Sequence, residues 1–143
     1  MATTTANYAA TPYAEAPARS TSVDRVVTIM RLTYGLVPIV AGADKFTHYL
    51  TDWDQYLAPQ IANMLPFPAH TFMAIVGVIE IVAGLLVLIK PRLGSIIVCL
   101  WLLGIAINLL MTGQYYDVAV RDTVMAIGAL SLFMLSRPAY PRG

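Results

Sequence analysis

The segment TFMAIVGVIEIVAGLLVLIKPR, Thr71 to Arg92, limits what this chain can fold into more than any other part of it. Nineteen residues separate His70 from Lys90, and Glu80 is the one charged residue among them. A surface helix of a soluble domain has an apolar stripe and a polar face, and this stretch has no polar face. Runs of about 18 or more apolar residues read as membrane spans. Four such runs can be drawn, at about Val23–Ala43, Thr71–Ile89, Leu93–Met111 and Val118–Leu135. The first contains Arg31 and the fourth begins beside Arg121 and Asp122. Composition agrees: the chain is 58% hydrophobic and 12% charged, about half the charged fraction usual in soluble domains.

The fold class that follows is all-α, an integral membrane four-helix bundle with a short interfacial helix in the outer loop between the first and second helices. Residues 1–22, rich in Ala, Thr and Pro, read as a disordered cytoplasmic tail. Residues 23–136 form the transmembrane domain, and residues 137–143 a cytoplasmic C-terminal tail. The N-terminus lacks the pattern of a secretory signal. Lys and Arg set the orientation. Arg19, Arg25, Arg31, Lys90, Arg92, Arg137 and Arg142 fall on one side, against Lys45 and Arg121 on the other, which predicts cytoplasmic termini. The net charge of +1 gives no reason to expect a nucleic-acid partner.

In lipid, helices associate through small residues and polar contacts, so faces carrying both should turn inward. On the first helix Arg31, Gly35, Pro38, Gly42 and Lys45 form one stripe. Gly77, Glu80 and Gly84 share a face of the second, Gly104 and Asn108 of the third (with Trp101 nearby), and Arg121, Met125, Gly128 and Leu132 of the fourth. An isolated carboxylate at the depth of Glu80 would take up a proton unless a cation met it. The expected partner is Arg31. The predicted buried polar core is therefore Arg31, Glu80, Asn108 and Arg121, with a second polar cluster of Asp44, Lys45 and Asp122 nearer the outer surface. Pro38 is expected to kink the first helix.

The long outer connection carries Trp53, Leu57, Ile61 and Met64 at helical spacing, which predicts a short helix in the interface, interrupted near Pro59. Tyr49, Trp53, Tyr56, Tyr115 and Tyr116 are expected to anchor at headgroup level. The alternative is that the aromatics form a lid over a pocket. His48 and His70 lie toward the outer connection and make a poor haem pair, since neither belongs to a span. No metal constellation, phosphate loop or nucleophile–base motif is present. The single Cys99 permits no intrachain disulfide and reads as a packing residue.

MRLTYGLVPIVAGADKF (Met30–Phe46) resembles the Arg-Leu-x-x-Gly…Ala-Gly-x-x-Lys opening of the DoxX family of small bacterial and archaeal membrane proteins. GVIEIVAGLLVLIKPRLGSII (Gly77–Ile97) is similar to that family's second helix, and VRDTVMAIGALSLFML (Val120–Leu135) to its last. The resemblance implies four helices and a bacterial or archaeal cytoplasmic membrane. It also implies that Arg31, Lys45, Glu80 and Arg121 occupy the family's polar positions. The family takes its name from a subunit of a thiosulfate:quinone oxidoreductase, and other members are associated with membrane redox systems. Relatives with paired cysteines invite a dithiol mechanism, which a single cysteine excludes here.

The expected function is accordingly that of a small membrane subunit of a quinone-linked or other electron-transfer complex, not catalytic alone. It binds no cofactor through its own residues and contacts quinone or lipid. Its partners are membrane lipid and other membrane subunits, or further copies of itself. The alternatives are a structural accessory subunit without chemistry, and a small ion-coupled transporter using Glu80.

Overall fold

The computed structural model describes residues 21–136. The tails assigned to residues 1–22 and 137–143 lie outside the described residues, except for Thr21 and Ser22. α1 spans Thr21–Thr47, α3 Ala69–Ile89, α4 Pro91–Met111 and α5 Tyr116–Leu135. Each is long and apolar enough to cross a membrane; each starts two residues before its expected start, α1 ends four residues later than expected, and the other three end at the expected residue. α1 runs as one helix through Pro38. Among the described residues there is no strand.

The four helices alternate in direction. The starts of α1 and α4 and the ends of α3 and α5 share one end, the tail end; the loops after α1 and α4 share the other, the loop end. α3 stops where Pro91 forces Lys90 out of helical conformation (φ −127°, ψ 76°), as a residue before proline tends to be. Pro91 then opens α4 at the first position, where its missing N–H costs nothing. This reversal is so tight that a Cβ on Gly94 would lie 2.5 Å from Val87 Cα.

α1 packs chiefly on α3 and α4 chiefly on α5, α3 meets α4 more loosely, and the α1–α5 seam is sparse. The α1–α3 contact is made by glycines in matched register. A Cβ on Gly42 would lie 2.5 Å from the Gly77 carbonyl oxygen, and one on Gly77 would lie 2.6 Å from the Gly42 oxygen. Gly84 presses on the Gly35 carbonyl in the same way one heptad along. Backbone therefore touches backbone, the packing lipid-embedded helices favour. The remaining core is small and apolar: Ala83, Val87, Val98, Cys99, Leu102, Ala126, Ala129 and Leu132, with Tyr34 packed against it. The large apolar residues that stay exposed, such as Ile29, Val40, Leu100, Val120 and Val124, face where lipid would be.

The expected interfacial helix is two short pieces, a 3-10 turn at Trp53–Tyr56 and one α turn, α2, at Pro59–Ala62. Pro59 separates them, as its position suggested. They fold over the loop end of the bundle, with Leu57 and Ala58 buried.

Candidate functional site

Lys45 Nζ lies 2.6 Å from Glu80 Oε2, with Lys45 3% and Glu80 6% exposed. The partner of Glu80 is thus Lys45, not Arg31. Helix geometry supplies the reason. Gly42 faces Gly77, so the Cα atoms of Lys45 and Glu80 are offset by six residues, roughly 9 Å along the axis. Side chains lean toward the N-terminus of their own helix. In an antiparallel pair, Lys45 therefore leans toward the tail end while Glu80 leans toward the loop end, and they converge. Arg31 leans away from Glu80 and cannot meet it. Its Nε and Nη2 instead donate to the carbonyl of Leu88, its register mate, with Nε at 2.9 Å.

Two further side chains touch the pair. Trp101 Nε1 on α4 donates to Glu80 Oε1 at 3.4 Å. The Trp53 ring covers the ammonium, with Nζ 3.8 Å from the ring centroid, a cation–π contact that strengthens as water is excluded. Asp122 on α5 is half-buried, on the same helix face as the buried Ala119 and Ala126. The site therefore draws side chains from α1, α3 and α4 and one from the loop.

Asp44, the neighbour of Lys45, faces the loop. Its carboxylate accepts hydrogen bonds from Thr47 Oγ1 (3.0 Å), the Tyr49 and Leu50 amides (2.9 and 3.1 Å) and Trp53 Nε1 (2.8 Å). One carboxylate thus turns the chain after α1 and holds Trp53 over Lys45. Asn108 on α4 ties down the next stretch, accepting from the Ala58 amide at 2.9 Å and donating to the Tyr56 carbonyl at 2.6 Å. Tyr56 meets Tyr115 edge-on at 4.8 Å, and the Tyr115 hydroxyl donates to Gln55 Oε1 at 3.2 Å. The loop is a roof fastened to both halves of the bundle. Asp44→Asn should loosen it, because an amide nitrogen cannot accept from Trp53. Limited proteolysis of residues 48–68 in detergent is expected to run several times faster than in the wild type, with the helices uncut.

The family model of DoxX matches residues 26–111. The chain belongs to the DoxX family. No curated protein and no solved structure matches it. The DoxX match runs from α1 to α4 and holds Lys45, Glu80 and Trp101; Asp122 lies beyond it. Four spanning helices and DoxX membership together make this a multi-pass membrane protein.

Several residues of this DoxX protein fall elsewhere than the sequence suggested. Arg31 and Arg121 are exposed rather than members of a buried core. The inward face of α5 is set by Ala119, Ala126, Ala129 and Leu132, which carries Asp122 inward and Arg121 outward, where a long side chain can reach the headgroups. Gly104 also faces outward, with nothing within 4 Å of a Cβ placed on it. The inner stripe of α4 is Ser95, Cys99, Leu102, Ala106 and Leu109. Asn108 is half-buried and serves the roof. The expected cluster of Asp44, Lys45 and Asp122 divides, since Asp44 builds the loop, Lys45 pairs with Glu80, and Asp122 lies half-buried on α5. Among the aromatic anchors, Tyr49 and Tyr116 are exposed (91% and 57%), whereas Trp53, Tyr56 and Tyr115 are built into the roof.

His48 and His70 come together at the loop end, with rings stacked at 5.2 Å. Among the described residues no group of three or more His, Cys, Asp or Glu is placed to hold a metal ion. Sequence reasoning missed Trp53 and Trp101 as neighbours of the ion pair. The available signal was the indole N–H, a donor that in lipid must find an acceptor.

Proposed function

We propose that this chain is a small membrane subunit of a quinone-linked or other electron-transfer complex, with its termini in the cytoplasm and the roof on the opposite side. The Lys45–Glu80 pair, walled by Trp101 and roofed by Trp53, is the place where a quinone ring is held. The observation that carries this reading is a buried carboxylate with an indole N–H on one oxygen and an ammonium on the other. The ammonium and the indole N–H that this carboxylate positions can each donate to a quinone oxygen, and the flat indoles suit a flat ring. Family membership supports a membrane protein with a link to redox systems. The sparse α1–α5 seam supports entry from the lipid.

Native membranes solubilised in mild detergent provide the test. The chain is expected to travel with flavin- or haem-bearing subunits, read by mass spectrometry and an absorption spectrum. Glu80→Gln should lower quinone-dependent turnover of that complex by about tenfold, the scale of one hydrogen bond to a charged group, because Lys45 and Trp101 lose the anion that positions them. A colourless homodimer would point to transport. One observation favours a second reading, an accessory subunit without chemistry: Lys45 and Glu80 already neutralise each other. Copurification with unchanged turnover in Glu80→Gln would decide for it.

A further inference from the structure

We propose that the turn between α3 and α4 binds the phosphate of an anionic phospholipid. Three cations meet there. Arg31 is fastened to the turn from α1, its Nε donating to the Leu88 carbonyl oxygen at 2.9 Å. Lys90 and Arg92 follow Leu88 by two and four residues, on either side of Pro91. All three are exposed, and among the described residues none of them forms an ion pair with a carboxylate. Arg31 spends Nε and Nη2 on Leu88 and keeps Nη1 for a ligand. The Arg92 guanidinium lies over the Phe133 ring, 5.2 Å from its centroid, which sets the end of α5 beside the turn. Ser136, one turn past Phe133, is 7% exposed, and its hydroxyl has no partner. No side chain caps the start of α4, and the Arg92 and Leu93 amides have no acceptor among the described residues. Donors gather at this place without acceptors, and the oxygens of a phosphate are acceptors that guanidinium and ammonium groups bind strongly.

Depth and surroundings name the occupant. Two apolar helices turn back at Lys90 and Pro91, so the cations stand at the level of headgroup phosphates. Ile89 and Leu93 flank them and are 70% and 50% exposed. An acyl chain lying along these residues would carry its phosphate to the turn, whereas a soluble anion gains nothing from an apolar border. The two ends of the bundle also differ in sign. The tail end carries Arg25, Arg31, Lys90 and Arg92, with Asp24 as its acid. At the loop end Asp52, Asp54 and Asp117 accompany the exposed Arg121. An anionic headgroup is thus complementary to the tail end alone. Nothing in this assignment rests on the quinone reading.

Native mass spectrometry of the full chain in mild detergent, titrated with phosphatidylglycerol or with phosphatidylcholine, tests the proposal. The wild type is expected to bind phosphatidylglycerol at least about tenfold more tightly than phosphatidylcholine, since each cation at an anionic headgroup contributes roughly fivefold. The triple variant Arg31→Gln/Lys90→Gln/Arg92→Gln should lose that preference. Arg121→Gln, at the other end of the bundle, should keep it. If the triple variant fails to fold, Lys90→Gln/Arg92→Gln leaves Arg31 on the Leu88 carbonyl and should still lower phosphatidylglycerol affinity by about tenfold or more. Equal binding of the two lipids to the wild type overturns the inference, as does a preference that survives in these variants. Inorganic phosphate that displaces phosphatidylglycerol at equal concentration would make this a site for a soluble anion and overturn the lipid as its occupant.

Discussion

Lys45→Met is expected to destabilise the bundle more than any other single change in the site. It leaves the Glu80 carboxylate buried with only a long hydrogen bond from Trp101, and it removes the cation beneath Trp53. Breaking one side of a buried ion pair costs about 3–5 kcal/mol. Replacing both members by apolar residues of similar volume is commonly close to neutral, because the pair never recovered much more than its own desolvation. The double variant Lys45→Met/Glu80→Leu should therefore regain most of the stability that the single variant loses. Glu80→Gln should cost less than Lys45→Met, since Lys45 keeps the Trp53 ring and the amide oxygen of the new glutamine as partners, while Glu80 without Lys45 keeps only the Trp101 indole.

Unfolding in mixed micelles with increasing denaturing detergent, followed by circular dichroism, gives the three midpoints. The order expected is Lys45→Met least stable, Glu80→Gln intermediate, and the double variant nearest to wild type. Equal midpoints for Lys45→Met and the double variant would remove the pair from the account of stability. The function should respond differently. The double variant folds but has lost both charges, so it should be inactive wherever the wild type supports quinone-dependent turnover. Stability and activity then part company at one pair of residues.

The spans and the α1–α3 contact were legible in the sequence because lipid enforces both. A helix without a polar face has few alternatives in water, and Gly35, Gly42, Gly77 and Gly84 recur at a seven-residue spacing that leaves little doubt about which faces meet. The partner of Glu80 was misread because depth was counted along the helix axes and the lean of the side chains was left out. With that lean included, Lys45 is favoured and Arg31 is excluded. On α4 and α5 the rule that glycine and charge turn inward failed at Gly104 and Arg121. Alanines 106, 119, 126 and 129 fill the narrow space between those helices, and an arginine near a helix end reaches the surface more cheaply than it is buried. The roof was half legible. Trp53, Tyr56 and Pro59 marked a short structured loop, yet its fastening by Asp44 and Asn108 depends on contacts across many residues that no local pattern encodes.

The second large effect belongs to the glycines. Gly42→Ala would put a methyl group 2.5 Å from the Gly77 carbonyl oxygen, and Gly77→Ala would put one 2.6 Å from the Gly42 oxygen. Backbone lines both sides of this contact, so no rotamer change can relieve the overlap and the helices must separate. Overpacking of this kind costs about 1–3 kcal/mol, and in lipid no release of water compensates for lost contact. The two substitutions share one contact, so the double variant should cost less than their sum: once one methyl has parted the helices, the second finds room. Gly104→Ala is the control. It faces open space and exchanges glycine for the best helix former, so it should be neutral or stabilising by up to about 1 kcal/mol. The same detergent titration reads all four proteins. Parting α1 from α3 also draws Lys45 away from Glu80, because the glycine contact lies one turn from both. Gly42→Ala should then mimic the loss of the ion pair in activity while leaving every charged residue in place. A Gly42→Ala protein as stable and as active as Gly104→Ala would mean that the close approach of the two backbones does not position the site.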